Sequence, residues 1–464
     1  VGRVRSIWGA GAREASSMSE ATIFALSSGA PPAGVAVIRV SGEGVRFGLE
    51  TIIGPLPPPR RAALRPIRDP RTGELLDAGL VLFFPGPHSF TGEDVAELQI
   101  HGGRAVVAAV LDTLGGLPGF APAEAGAFTR RAFENGRLDL TEVEGLADLV
   151  QAETAWQRRL ARAQAGGALR SLYDGWRSRL IRARALIEAE LDFPDEEDVP
   201  GSVSERVWAD IAVLSTEVEV HLARAEWGER ARSGFEIVLL GPPNAGKSSL
   251  LNALAGRDVA IVTDEPGTTR DLIEVRLDLA GYPVTLVDTA GLRQATGRVE
   301  EEGIRRALAR GARADLLLRL DPADEMVQPR SAPDGVAPEG PPALRIASKA
   351  DVIDSDSKHF LREAGSMPVS STTGEGLDDL IRAIGRALGV AEPPPDLALP
   401  NRARHRAGLL ALSESLQAAR KSGLALELRA EELRRAGDAL GRLTGRIDVE
   451  DMLDVIFREF CIGK

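Results

Sequence analysis

The spacing of apolar positions changes several times along the chain, and each change marks a different kind of structure. Residues 22–26 and 35–40 are short β-rich runs separated by Pro31, Pro32 and Gly34. Residues 79–84 read as another strand, and 95–100 alternate as a half-buried strand does. Residues 106–114 carry helical spacing, and the Pro-rich stretch 55–59 reads as a loop. Together these predict a small α+β domain ending near Gly136. Beyond residue 138 the pattern becomes that of long helices. Leu169, Leu172, Trp176, Leu180, Ile187 and Leu191 recur at spacings of three, four and seven, with Arg170, Arg177, Arg179, Arg182 and Arg184 on the other faces. Asp192-Phe193-Pro194-Asp195-Glu196-Glu197 interrupts this helix, and helical spacing resumes over 209–225.

From 235 to about 390 strand-like and helix-like runs alternate. The strands are expected at 236–240, 272–279, 284–288, 315–320 and 343–347, and the helices at 249–255, 304–310 and 377–388. That order predicts an α/β sheet with covering helices. Residues 322–342 read as a surface loop and 393–400 as a linker. Helical spacing then returns through Leu409, Leu412 and Leu416, Leu433, Leu440 and Leu443, and Met452, Ile456, Phe457 and Phe460. The economical reading is one helical domain with the α/β domain inserted into it. The expected parts are an extension at 1–17, an N-terminal α+β domain at 18–136, helical segments at 137–232 and 393–464, and the α/β domain at 233–392.

Composition adds limits. The chain has 464 residues, 44% hydrophobic and 27% charged, with a net charge of −12. This is an ordinary globular balance, and any surface for nucleic acid must be a local patch. A single cysteine, Cys461, excludes an intramolecular disulfide and suits a reducing, cytoplasmic setting. No apolar run approaches the ~20 residues of a membrane span. Residues 1–17 hold Arg3, Arg5 and Arg13 without an apolar core, so they are expected to be an upstream extension or a disordered tail before Met18.

The most informative stretch is Gly241-Pro242-Pro243-Asn244-Ala245-Gly246-Lys247-Ser248-Ser249. It follows an apolar strand and opens a helix, the context that makes G-x-x-x-x-G-K-S a phosphate-binding loop. Backbone N–H groups and the helix N-terminus point at the anion, Lys247 reaches the β- and γ-phosphates, and Ser248 gives its hydroxyl to Mg2+. In Thr263-Asp264-Glu265-Pro266-Gly267-Thr268-Thr269-Arg270-Asp271, Thr269, with Thr268 as the neighbouring candidate, is the residue expected to reach Mg2+ and order the loop on the γ-phosphate. Asp288-Thr289-Ala290-Gly291 ends a strand. Asp288 would hold Mg2+ through water, and Gly291 would offer its N–H to the γ-phosphate. In Ser348-Lys349-Ala350-Asp351 the Asp351 carboxylate would accept two hydrogen bonds from guanine, which adenine cannot supply, so GTP is favoured over ATP. Ser348 stands where Asn is usual and can make only part of the amide's bonds. Ser370-Ser371-Thr372 would lie against the base. Leu292 follows Asp288-x-x-Gly where Ras-like enzymes place a water-orienting Gln, so another group must act, with Arg293, Gln294 and Glu300 as candidates. The α/β part is thus expected to be a Ras-like P-loop G domain.

These residues resemble the MnmE (TrmE) family of tRNA-modification GTPases. Beyond the G-domain motifs, the resemblance runs through Ser89-Phe90-Thr91-Gly92-Glu93-Asp94, Leu191-Asp192-Phe193-Pro194-Asp195-Glu196-Glu197 and the terminal Phe460-Cys461-Ile462-Gly463-Lys464. It implies a folate-binding N-terminal domain that also makes the homodimer. It implies a FAD-carrying partner, MnmG (GidA), and joint addition of an aminomethyl or carboxymethylaminomethyl group to C5 of the wobble uridine of certain tRNAs. The one-carbon unit comes from a tetrahydrofolate, in its 5-formyl or 5,10-methylene form. The resemblance also implies G domains that pair on GTP and K+. It puts K+ on Asn244, on Thr263 and Glu265 through their backbone, and on Thr268. It gives Glu300 the water-orienting role and puts folate on Arg39, Glu97, Arg137 and Lys464. Arg137 stands where Lys is common. Cys461 falls near the folate pocket, either joining the chemistry or inert there.

Other readings stay open. A regulatory GTPase that binds ribosomal RNA is the alternative, and a folate pocket and the Phe-Cys-Ile-Gly-Lys end have no purpose in it. Gln99-Ile100-His101-Gly102-Gly103 resembles a lipase oxyanion loop, but no Gly-x-Ser-x-Gly elbow accompanies it, and His101 is expected to be structural. Arginine clusters at Arg158, Arg159 and Arg162, at 177–184, and at Arg402, Arg404 and Arg406 could meet tRNA phosphates or be solvated helix faces.

Overall fold

A computed structural model describes residues 21–192, 202–256, 273–279, 281–288, 311–326, 341–390, 396–421 and 423–447, and the single positions 453, 456, 457, 460 and 463. The chain forms two compact units, 1–147 with 440–464, and 148–439.

In the first unit six strands, β1 (Thr22–Leu26), β2 (Ala33–Ser41), β3 (Ala63–Arg68), β4 (Leu75–Phe84), β5 (Val95–Gly102) and β6 (Phe120–Pro122), form a sheet in the order β3-β4-β5-β2-β1-β6. All neighbours are antiparallel except β1 and β6. Side chains alternate across a strand, so Ala36, Ile38 and Val40 of β2 enter the core while Val37 and Arg39 take the opposite face. Helices α1 (Val45–Ile53) and α2 (Arg104–Gly115) lay Leu49, Ile52, Val110 and Leu114 against Ile38, Val81, Leu98 and Ile100. β3 and α1 were not legible in the sequence pattern. β3 is an edge strand with mostly exposed positions, and α1 follows a turn with no strong cap.

A second apolar cluster in this unit brings Leu140, Val143 and Ala147 of α4 (Leu140–Gln151) onto Ile456, Phe457 and Phe460. It follows α3 (Ala127–Glu134), whose Gly126 N-cap has φ +71°. A Cβ at Gly126 would run into the Phe457 carbonyl, so glycine is what lets the C-terminal segment lie here.

The second unit contains helices α5 (Ala155–Ala165), α6 (Ala168–Asp192), α7 (Ser202–Leu222), α8 (Ala225–Ser233) and α13 (Ala403–Ala419), and the residues up to 439 of α14 (Leu426–Thr444). Its sheet has β7 (Phe235–Leu240), β8 (Ile273–Leu279), β9 (Tyr282–Asp288), β10 (Leu316–Pro322), β11 (Ala343–Ser348) and β12 (Ser366–Val369), in the order β12-β11-β10-β7-β9-β8. Only β8 runs antiparallel to its neighbour. Helices α9 (Lys247–Ala255), α10 (Ala323–Met326), α11 (Ser355–Glu363) and α12 (Leu377–Ala387) connect or follow the strands. Ile237, Leu239, Leu286, Leu316, Leu318 and Leu320 are fully buried, as a parallel sheet covered on both faces requires. Pro322, expected to open a surface loop, instead closes β10 and leads into α10. The helix expected at 304–310 lies outside the described residues.

Candidate functional site

Strand order changes direction at β7, with β9 on one side and β10 on the other. In open α/β sheets the crevice beyond the carboxyl ends of the strands at such a point is where ligands bind. The loop Gly241–Gly246 leaves β7 there and turns into α9. Gly241 lies so close to the Leu320 carbonyl that no Cβ fits, Gly246 has φ +85°, and Asn244 itself takes φ +60°. These left-handed residues curl the loop so that successive N–H groups can face one point. Gly241 to Asn244 are exposed, whereas Ala245 is fully buried beneath them. Lys247 is 6% exposed, and its ammonium donates to the Gly241 and Pro242 carbonyls at 2.9 Å each. The Ser248 hydroxyl donates to Asp288 Oδ2 at 2.6 Å, and Asp288 is completely buried at the end of β9. Two oxygens from separate elements thus meet at the foot of the loop, a donor set that suits a hard divalent cation such as Mg2+.

The expected base-reading residues lie after β11 and in the loop after β12. Lys349 has φ +57° and turns the chain away from the sheet, leaving Asp351 exposed in the turn 350–352. Ser370 is fully buried, and its hydroxyl donates to Asp351 Oδ1 at 2.5 Å while accepting from the Thr372 and Thr373 amides. The Ser370 hydroxyl, and then the residue's own amide and the Lys358 charge, hold the Asp351 carboxyl below the usual carboxylate range. Ser371 is half-buried and Thr372 exposed beside it. Ser348, buried, donates its hydroxyl to the Asp321 carbonyl at 3.2 Å, so in this chain it ties β11 to β10. Ala350 is buried beneath the turn. Ser249 is exposed in the first turn of α9. Thr263, Asp264, Glu265, Pro266, Gly267, Thr268, Thr269, Thr289, Ala290, Gly291 and Glu300 lie outside the described residues.

In the first unit, Arg39 and Glu97 face each other across β2 and β5 and form an ion pair at 2.9 Å, each side chain about one-fifth exposed. The Arg39 guanidinium also lies 5.5 Å from the Phe90 ring and 5.8 Å from the Phe128 ring. Arg137 packs its stem against Gly92, within the Ser89–Asp94 loop. That loop is fixed by a network the sequence did not reveal. Ser41 Oγ meets Thr91 Oγ1 at 2.7 Å and donates to Glu93 at 2.8 Å, and Arg131 donates to Glu93 at 2.9 Å. The C-terminus reaches the same sheet: the Ser27 hydroxyl donates to the Gly463 carbonyl at 2.7 Å, one residue beyond β1, whose Ala25 opposes Arg39. Gly463 has φ +98°, and a Cβ there would collide with the Leu26 carbonyl. Cys461 and Lys464 lie outside the described residues.

The structure changes the expectation for one arginine cluster and shows what holds His101. Arg402 is not a phosphate-facing cation: it stands at the start of α13 and forms a 2.7 Å ion pair with Asp148, both side chains about nine-tenths buried. Arg406 pairs with Glu229 at 3.3 Å. His101, expected to be structural, is held by Asp77, which accepts from its amide at 2.8 Å and contacts its Nδ1 at 2.8 Å.

Comparison with known proteins covers nearly the whole chain. A family model described as "GTP-binding protein TrmE N-terminus" matches residues 22–137, and one described as "MnmE helical domain" matches 140–461. The "tRNA modification GTPase MnmE" of Rhizobium meliloti (strain 1021) is 55% identical over 449 residues, covering 96% of this chain and 100% of that one. The protein of the same name from Rhizobium etli (strain CIAT 652) is 54% identical over 444 residues, covering 96% and 99%. With matches of this extent, the chain belongs to the MnmE family of tRNA modification GTPases.

Proposed function

We propose that this chain hydrolyses GTP as one half of a machine that modifies the wobble uridine of certain tRNAs. The observation that carries the reading is the meeting, beyond the carboxyl ends of the strands, of a curled loop with Lys247, of Ser248 on Asp288, and of Asp351 held by Ser370. The loop amides and Lys247 bind the β- and γ-phosphates, and Asp351 reads the guanine edge with Ser370 fixing its direction. Ser248 and Thr269 would hold Mg2+, with Asp288 behind; when bound, the ion neutralises charge on the β- and γ-phosphate oxygens.

Leu292 carries no group able to orient water, so Glu300 takes that role in this reading. Asn244, exposed on the crest of the loop, would offer its side-chain oxygen to K+, with the Thr263 and Glu265 carbonyls and Thr268. Such a cation supplies the positive charge that stabilises the transition state where other GTPases use an arginine.

Arg39, Glu97, Arg137 and Lys464 form the proposed folate site. The docking of Gly463 at the end of β1 supports it, because it brings the C-terminus to the sheet that carries Arg39 and Glu97. Homodimerisation through the first unit is supported by apolar surface on that sheet. Leu64 and Leu80 oppose each other on β3 and β4 and are 66% and 41% exposed. The FAD-carrying MnmG is the partner in this reading, and a tetrahydrofolate supplies the one-carbon unit. Nucleoside analysis of tRNA from cells lacking this chain tests the role. Loss of the C5 substituent at the wobble uridine is expected, and intact modification would refute it.

A further inference from the structure

The three arginine clusters in the sequence do not share one fate. Arg402 is buried on Asp148, and Arg179 is held by Asp210 at 2.7 Å and Glu217 at 2.8 Å. Arg184 pairs with Glu188 at 3.3 Å. Helix α5 is different. From Thr154 to Tyr173 the chain carries Arg158, Arg159, Arg162 and Arg170 and no acidic residue, in a molecule whose net charge is −12. Arg158, Arg159 and Arg162 are all exposed, and among the described residues none of the three pairs with a carboxylate. The opposite face of α5 buries Trp156, Leu160, Ala161 and Gln164, so the cations form one solvent-facing stripe.

The helix that carries the stripe is fixed at its start. Thr154 and Gln157 close a capping box at the helix start, and Gln157 also donates to the Arg232 carbonyl at 2.8 Å. The Arg159 guanidinium lies 5.2 Å from the centre of the Trp156 ring, which restricts its directions. Arg158 and Arg162 are one turn apart and face the same way. Guanidinium forks of this kind suit phosphate oxygens.

We infer that the outer face of α5, through Arg158, Arg159 and Arg162, is a docking surface for the phosphate backbone of the tRNA substrate. The inference rests on the tRNA role proposed above and adds to it the surface that holds the nucleic acid. Contacts of this kind fix position and carry no sequence information, so the effect should be the same for different tRNAs.

The test is equilibrium binding of a fluorescein-labelled tRNA transcript to the full chain over a series of KCl concentrations. It compares wild type with Arg158→Gln/Arg159→Gln/Arg162→Gln, with the corresponding triple Lys variant, and with Arg184→Gln/Arg406→Gln. Thermal melting confirms that each variant is folded, and the single variants R158Q and R162Q replace the triple if it is not. The Gln triple is expected to bind at least about tenfold more weakly, with the slope of log K against log salt reduced by about 2 to 3. The Lys triple should keep most of the slope, and the Arg184/Arg406 variant should match wild type. A folded Gln triple that binds with wild-type affinity and slope overturns the docking surface alone. A wild-type chain that binds no tRNA overturns the surface together with the role it rests on.

Discussion

Asp351 and Ser370 are nineteen positions apart, yet the carboxylate proposed to read the base is held by that buried hydroxyl. Ser370→Ala removes a charge-assisted hydrogen bond of a kind whose loss weakens binding by about tenfold or more. The expected result is faster release of a fluorescent GDP analogue, by about that factor, with no change in overall fold; an unchanged release rate would remove Ser370 from guanine recognition. His221 offers a second test at this scale. Burial, and then the neighbouring His405, depress its pKa from 6.5 to about 4, with Arg224 adding to the effect and Asp396 opposing it. A folded-state value below the unfolded one means that the unfolded chain binds the proton first. Stability is therefore complete above about pH 6.5 and falls as pH drops toward 4, by roughly 3 kcal/mol from this group. Urea denaturation at several pH values should show a smaller acid loss in His221→Gln than in wild type; equal losses would contradict the burial argument. The loop before α9 could be expected from its glycines and its place between a strand and a helix. The hydrogen bond of the Ser370 hydroxyl to Asp351 could not, since nothing in a sequence tells which way a serine points.

Elements show the same division. β7, β9 and β10 could be placed from their apolar runs, because a covered parallel sheet needs them. β12 holds Pro368 in a run of four residues and gave no periodic signal. The hairpin of β8 and β9 is fixed to the helices by contacts that no pattern announces. Tyr282 stacks on Trp156 at 5.3 Å and meets Trp227 edge-on at 6.2 Å, the Trp156 amide donates to the Gly281 carbonyl at 3.1 Å, and Arg276 pairs with Glu153 at 3.2 Å. Tyr282→Ala empties the centre of that cluster and is expected to cost roughly 3 kcal/mol, read by denaturant unfolding and by a changed tryptophan emission. A loss below 1 kcal/mol would show that the cluster is not what joins the hairpin to the helices. At the other end of the chain, Gly463→Ala puts a Cβ against the Leu26 carbonyl at φ +98°. Titration calorimetry with a 5-formyltetrahydrofolate should show at least about tenfold weaker binding, given the cost of forcing alanine into that region and detaching the tail. Unchanged affinity would separate the tail from the folate site.

On the scale of the whole molecule, the order of elements told more than any one of them. A helical pattern that stops at 230 and returns after 400 predicts an inserted α/β segment, and the helical parts on either side of it are joined by residues far apart in the chain. Asp148 meets Arg402 and Arg232, and Gln164 meets Asn401 at 3.0 Å, pairs that span as many as 254 positions. Those partners were invisible beforehand, and Arg402 looked like a surface cation for that reason. Among the described residues no helix is long and apolar enough to cross a membrane. The central claim is that GTP lies on the loop around Lys247 and that a monovalent cation helps to break its terminal anhydride. The most direct measurement is steady-state GTP turnover by the purified full chain in KCl and in NaCl at equal ionic strength, with Asn244→Ala and Lys247→Ala alongside. The account predicts turnover at least about tenfold faster in potassium, equivalent to 1.4 kcal/mol of transition-state stabilisation. That advantage should be lost in Asn244→Ala, and all turnover in Lys247→Ala. Equal rates in both salts with Asn244→Ala unaffected, or no hydrolysis in either, would contradict it.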